Sequence, residues 1–268
     1  MLSDWGWRGD SAGVARVVSA HGDYFHLVSD AAPGEILARK KSSAFRDADA
    51  PQPMTGDFVS FQHNAQGESR ILGVLPRFSH LARLDPSSAG RREQILAVNF
   101  DVLFFATSLN ENFSLARLGR FADLARASGC LDRVVVLLTK ADLAPGRTED
   151  VSSLGFATAP LRVSAASGEG MDALRALVLP RRTVAFVGSS GVGKSTLVNA
   201  LAGEEWMATG EIQEWSGKGR HTTTSRELVM LPSGAMALDT PGLRELGLLG
   251  RDGVRERRRP ESGHRYRK

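Results

Sequence analysis

Only one cysteine, Cys130, occurs in 268 residues, which excludes an internal disulfide and leaves too few thiolates for a cysteine-rich zinc centre. Long apolar runs are missing as well. No stretch approaches the roughly 20 residues that span a bilayer, and Met1 to Asp10 has no apolar signal core, so a cytoplasmic protein with no membrane partner is expected. The chain is 42% hydrophobic, 24% charged and 7% aromatic, too apolar for global disorder. A strong charge of one sign is absent from most of it too. The net charge is +4, yet Arg251 to Lys268 holds eight basic against three acidic residues, so the remainder sums to −1. That terminal run reads as a solvated segment rather than a specific binding site.

At this length two domains are expected. From Gly13 to about Leu75 the chain is a series of short strand-like pieces: Val14 to Ser19, Tyr24 to Val28, Glu35 to Arg39, Asp57 to Gln62 and Arg70 to Leu75. In the second piece Phe25 and Leu27 share one face and Tyr24, His26 and Val28 the other. Five short strands without a helix predict an OB-type barrel over residues 1–80, a fold that often binds oligonucleotides. The alternative is a barrel that only packs against its neighbour, and charge does not choose, since residues 1–83 carry nine basic and nine acidic side chains.

After a connector around Pro76 to Gly90, strands alternate with helices through 81–248. Asp101 to Thr107 and Val134 to Leu138 are continuous apolar strands of the kind buried in a parallel sheet. Between them Ser114 caps a helix whose Leu115, Leu118, Phe121, Ala122 and Ala125 recur at helical spacing. A strand at Leu161 to Val163, a helix over Met171 to Val178 and a strand at Thr183 to Val187 continue the pattern. The fold class is therefore α/β: a small all-β OB-type barrel, then a P-loop domain with a mostly parallel sheet. Residues 249–268 form a basic tail expected to be disordered.

Chemistry concentrates where the strand Thr183 to Val187 runs into Gly188, Ser189, Ser190, Gly191, Val192, Gly193, Lys194, Ser195 and Thr196. This is G-x-x-x-x-G-K-[ST] between a strand and a helix, the context that makes the pattern a phosphate cradle. Its glycines let successive N–H groups close around phosphate oxygens at a helix N-terminus. Lys194 bridges the β- and γ-phosphates, and the Ser195 hydroxyl ligates Mg²⁺. The base is read by Thr139, Lys140 and Asp142, just past a strand end. Asp142 can accept two hydrogen bonds from guanine, a pair adenine does not offer, and the Lys140 stem can lie along the purine. Ser164 and Ala165 can present backbone N–H to the guanine carbonyl.

Asp239-Thr-Pro-Gly242 follows the strand Met236 to Leu238. Asp239 is expected to hold Mg²⁺ through water, and the Gly242 N–H to meet the γ-phosphate. Thr223 or Thr224, in Gly219-Arg-His-Thr-Thr-Thr224, completes the Mg²⁺ shell. Leu243 stands where many GTPases carry a glutamine that orients water, so slow intrinsic hydrolysis is expected, stimulated by a partner. His221 is the nearest candidate to position that water and Arg220 a candidate phosphate contact; spacing assigns neither. Cys130 is read as a small buried residue, and His21, His26, His63 and His80 lack metal-ligand spacing.

The order of these elements is unusual. The base-reading Asp142 precedes the phosphate loop at Gly188, the reverse of ordinary GTP-binding proteins, which marks a circular permutation. A barrel followed by such a domain resembles the bacterial ribosome small subunit-dependent GTPase A family, on Gly56-Asp57, Thr139-Lys-Ala-Asp142, Gly188 to Thr196, Gly219 to Thr224 and Asp239-Thr-Pro-Gly-Leu-Arg-Glu245. The resemblance implies a monomeric GTPase that hydrolyses GTP to GDP and phosphate, coupled to late maturation of the small (30S) ribosomal subunit, with 16S rRNA contacted by the barrel. Thr139 replaces the family's more usual asparagine, so the amide that braces the base-binding loop is missing and lower nucleotide affinity is expected. The family's zinc-binding region, three cysteines and a histidine, is not present: after Leu248 the chain is Arg-rich without cysteine, and His264 alone cannot form that site. A truncated or frame-altered gene is the expected cause. The competing reading is a nucleotide-binding, rRNA-binding module with little turnover.

Overall fold

A computed structural model describes residues 1–47, 50–85, 93–109, 113–147, 149–189, 191–203 and 227–239. The barrel is built from β1 (Val14–His21), β2 (Tyr24–Ser29), β3 (Ala32–Lys40), β4 (Phe58–Gln62) and β5 (Ser69–Val74). Their order β1-β2-β3-β5-β4 closes because β4 returns to β1, with Ala15 opposite Val59. Alternation fills the interior: Ala15 and Val17, Phe25 and Leu27, Ile36 and Ala38, and Val59 and Phe61 all point inward around Ile71. Val28, predicted on the opposite face from Phe25, is nonetheless buried. It lies with Val14, Val18 and Phe58 in a second apolar cluster outside the barrel, shared with Leu81, Leu96, Leu228 and Leu238.

The segment expected to be a connector, around Pro76 to Gly90, contains the strand β6 (His80–Leu84), which pairs antiparallel with β7 (Glu93–Val98) just beyond it. Its alternation is hidden by a register shift between Leu81 and Ala82. Beyond it come β8 (Val102–Ser108), α1 (Leu115–Ala127), β9 (Val134–Thr139), β10 (Leu161–Val163), α2 (Met171–Leu177), β11 (Thr183–Gly188), α3 (Lys194–Ala202), β12 (Glu227–Met230) and β13 (Met236–Asp239). The strand order is β10-β9-β8-β11-β13-β12. The first five run parallel to their neighbours, and β12 is antiparallel to β13.

Successive residues of β8 serve opposite faces. Leu103 and Phe105 pack with Leu118, Phe121 and Ala125 of α1, while Phe104 and Ala106 pack with Met171 and Leu174 of α2 and Leu197 and Val198 of α3. Phe105 stacks on Phe121 at 4.0 Å between ring centroids. Each buried aromatic or aliphatic side chain of this kind contributes roughly 1.5–3 kcal/mol of transfer free energy. Ser114 caps α1 as expected, accepting from the Arg117 N–H at 3.2 Å. Leu115, expected on the apolar stripe, is 47% exposed, whereas Leu118, Phe121, Ala122 and Ala125 are buried.

Barrel and sheet are continuous. β1 pairs antiparallel with β12 at Ser19 and Glu227. Beside that seam Arg16, on the outer side of β1, is buried. Its guanidinium donates to the Thr183 hydroxyl at 2.8 Å, the Asn99 carbonyl at 3.3 Å and the Trp5 carbonyl, and lies 4.7 Å over the Phe58 ring. Burial pushes the guanidinium down to about 9, with Asp101 and Asp57 pulling the other way. Next to it, Arg77 grips the buried Asp57 through two bonds of 2.8 Å. Asn99, in the left-handed region at φ 51, donates to the Gly56 carbonyl at 3.1 Å. Gly56-Asp57 thus sits at the junction, not on the barrel's free surface.

Candidate nucleotide site

The parallel register places the carboxyl ends of β8, β9, β10 and β11 on one edge: Ala106 is opposite Gly188, Ser108 opposite Thr139, and Thr139 opposite Val163. Ligands of open α/β sheets bind at this edge. At the end of β11 the backbone of Gly188 comes so close to β8 that a Cβ would run into the Ala106 carbonyl. Only glycine fits there at φ 146. Gly191 and Gly193 follow at φ 73 and 98 and turn the chain into α3.

No side chain caps the N-terminus of α3, and the positive end of the helix dipole, which favours an anion, lies there. Lys194, its first residue, folds its ammonium back over the loop and donates to the carbonyls of Gly188 at 2.8 Å and Ser189 at 2.5 Å. Ser195 and Thr196 follow on the first turn, half-buried and exposed. An uncapped helix start wrapped by a glycine loop, with a lysine and a hydroxyl beside it, fits a nucleotide phosphate chain with Mg²⁺.

The decisive contact lies between two segments written in reverse order. The Thr139 hydroxyl, buried, donates to the Val192 carbonyl at 2.6 Å. The segment that leads to Asp142 is thus tied to the glycine loop, 53 residues later in the chain. The expectation was a missing amide brace; the residue that replaces asparagine makes a side-chain bond of its own to the glycine loop. The Thr139 carbonyl also accepts from the Leu109 N–H at 3.0 Å, tying the segment to β8.

Lys140 takes a left-handed conformation, φ 56, and leads into a 3-10 turn, Ala141–Leu143, which holds Asp142 exposed. Past β10, Ser164 closes its own loop. Its N–H donates to the Glu169 carbonyl at 2.8 Å and its hydroxyl accepts from the Ser167 N–H at 3.2 Å. With the Ser164 N–H engaged, Ala165 carries the next available one. Asp239 ends β13, one residue beyond the Leu238–Ala185 pair with β11. Ser190, His221, Thr223, Thr224, Gly242 and the 249–268 tail lie outside the described residues. Cys130 is buried, and burial raises its thiol to about 11. Among the described residues no three metal-ligating side chains gather into a cluster, and no helix is long and apolar enough to cross a membrane.

Sequence reasoning missed Arg162, whose side chain reaches the loops on both sides of β10. The available signal was an arginine inside the otherwise apolar Leu-Arg-Val strand.

The family profile described as RsgA GTPase matches residues 74–249, more than half of the chain. The chain belongs to the RsgA GTPase family. A relative from Lactiplantibacillus plantarum, named small ribosomal subunit biogenesis GTPase RsgA 2, is 39% identical over 239 residues, covering 87% of this chain and 66% of the relative. One from Opitutus terrae, named small ribosomal subunit biogenesis GTPase RsgA, is 38% identical over 276 residues, covering 94% of this chain and 74% of its own. This RsgA-family chain thus spans about two thirds of the length of the first of these relatives. YjeQ from Thermotoga maritima has the same fold, with a TM-score of 0.59 at 22% identity over 85% of this chain and 74% of its own. So does YloQ, described as a circularly permuted GTPase, with a TM-score of 0.54 at 21% identity over 87% and 72%.

Proposed function

We propose that this chain hydrolyses GTP to GDP and phosphate and that the reaction serves maturation of the small ribosomal subunit. The observation that supports the proposal is the Thr139–Val192 hydrogen bond, which joins the segment leading to Asp142 to the glycine loop before Lys194 despite their reversed order in the chain. The phosphate chain would lie on the N–H groups of residues 189–196, with Lys194 leaving the Gly188 and Ser189 carbonyls for the β- and γ-oxygens. Asp142 would take the two donors of guanine, and the Ala165 N–H its carbonyl. Mg²⁺, held by Ser195, by Asp239 through water and by Thr223 or Thr224, would neutralise charge on the transferred phosphoryl group. Gly242 would sense the γ-phosphate, and Arg220 or His221 remain candidates for contacts to phosphate or water.

The names carried by the relatives support the small subunit as partner. The barrel, residues 1–80, would contact 16S rRNA while 81–248 turn over nucleotide as a monomer in the cytoplasm. With Leu243 in place of a water-orienting glutamine, the intrinsic rate would be low and the subunit would raise it. Single-turnover GTP hydrolysis with and without purified small subunits tests this: slow hydrolysis that accelerates with subunits supports it. Absence of turnover in both conditions overturns it in favour of a binding module. Lys194→Ala should abolish nucleotide binding or turnover, and unchanged kinetics would refute its role.

A further inference from the structure

The two loops that would read guanine leave β9 and β10 side by side, and one side chain spans them. Arg162, opposite Leu138 in the β9–β10 register, spends all three guanidinium nitrogens on this task. Its Nη2 donates to the carbonyls of Ala141 at 3.1 Å and Ala144 at 3.2 Å, the two ends of the turn that carries Asp142. Its Nη1 donates to the Arg147 carbonyl, where the same loop turns back. Its Nε donates to the Glu169 carboxylate at 2.9 Å. Glu169 in turn is the residue whose carbonyl closes the Ser164 loop. The backbone packs just as closely, since a Cβ on Gly170 would run into the Arg162 carbonyl.

An ordinary surface ion pair points a flexible cation at a carboxylate and contributes little. Arg162 differs because most of its donors meet main-chain carbonyls. Three carbonyls of one loop converge on a planar fork, which a lysine ammonium, a point donor on a flexible stem, does not match. The Ala141 carbonyl already accepts from the Ala144 N–H at 3.1 Å, so Arg162 reinforces the bond that closes the Asp142 turn.

We infer that Arg162, anchored by Glu169, is a positioning residue for guanine specificity: it holds the Asp142 turn at a set distance from the Ser164–Gly170 loop. The inference rests on the proposed reading of guanine by Asp142. Its consequence is selective. GTP and inosine triphosphate differ only in the exocyclic amino group that the second Asp142 bond would hold, so a loosened turn erodes the preference between them. ATP, which Asp142 does not read, is held by the phosphate loop and is insensitive to Arg162.

The test is displacement of a fluorescent GDP analogue from the full-length chain by GTP, inosine triphosphate and ATP, for Arg162→Met, Arg162→Lys, Glu169→Gln and Asp142→Asn. For Arg162→Met, GTP affinity is expected to fall on the order of tenfold, with a smaller loss for inosine triphosphate and none for ATP. Arg162→Lys should fall between Met and the native chain, and it carries the test if Met does not fold. Glu169→Gln should shift the GTP preference in the same direction by less. Equal losses for all three nucleotides, or a lower melting temperature with an unchanged preference, would make Arg162 a merely structural residue and overturn the inference. If Asp142→Asn leaves the GTP preference unchanged, the reading of the base itself fails. If Asp142→Asn abolishes it while the Arg162 variants keep it, only the inference fails.

Discussion

Thr139 illustrates how much a single oxygen can decide. Its Oγ1 is buried and joins two parts of the site that meet only through the fold. Thr139→Val keeps the shape and deletes the donor, leaving the Val192 carbonyl without that bond, a change of about 1–2 kcal/mol that corresponds to roughly a tenfold loss of GTP affinity. Thr139→Ser keeps the hydroxyl and should stay within about twofold of the native chain. Equilibrium titration with a fluorescent GTP analogue checks both, and equal affinity for valine and serine would remove the brace from the account. The residue type was legible as a departure from asparagine, but its partner was not, because a hydroxyl reaches Val192 only where β9 and the phosphate loop share an edge.

Among the elements, the passage from β11 into α3 tolerates little change. Gly188 abuts the Ala106 carbonyl at a positive φ, so Gly188→Ala adds both a clash with backbone and dihedral strain. A loss of about 3 kcal/mol or more in unfolding free energy is expected, measured by urea denaturation, together with loss of nucleotide binding. Wild-type stability for this variant would show that the close approach is relieved in solution. This element was readable because its pattern needs only its own residues: an apolar strand, a glycine loop and a helix. The barrel strands were readable for a similar reason, with inward residues such as Phe25 and Leu27 two apart. The β6–β7 pair escaped because its register shift puts both Leu81 and Ala82 inside. Strand β12 escaped because it is four residues long and takes its place from β13 and from β1, whose residues lie some 200 positions earlier.

For the whole molecule the decisive region is the junction around Arg16. Its guanidinium bridges β1 to Thr183 at the start of β11 and contacts the Met236 sulfur, at 3.2 Å, at the start of β13. These are the amino ends of the strands whose carboxyl ends carry the phosphate loop and Asp239. Arg16→Ala would leave a cavity and three acceptors without their donor, and about 3 kcal/mol of destabilisation is expected in denaturant unfolding. Arg16→Met refills the space without a charge and should lose less. A larger loss for methionine than for alanine would contradict this view of the junction. None of the partners of Arg16 was foreseeable from a basic residue in an apolar strand; only the docking of barrel on sheet makes its burial tolerable.

The seam at Ser19 and Glu227 also bears on any attempt to divide the chain. With the barrel cut away, β12 would lose its partner at Glu227, and Leu228 and Leu238 would lose the barrel residues Val14, Val18, Val28 and Phe58 of their shared cluster. Such a margin recruits whatever strand comes near, including its own copy. The excised nucleotide-binding half should therefore self-associate in light scattering more than the intact chain, because the barrel serves it as a cover.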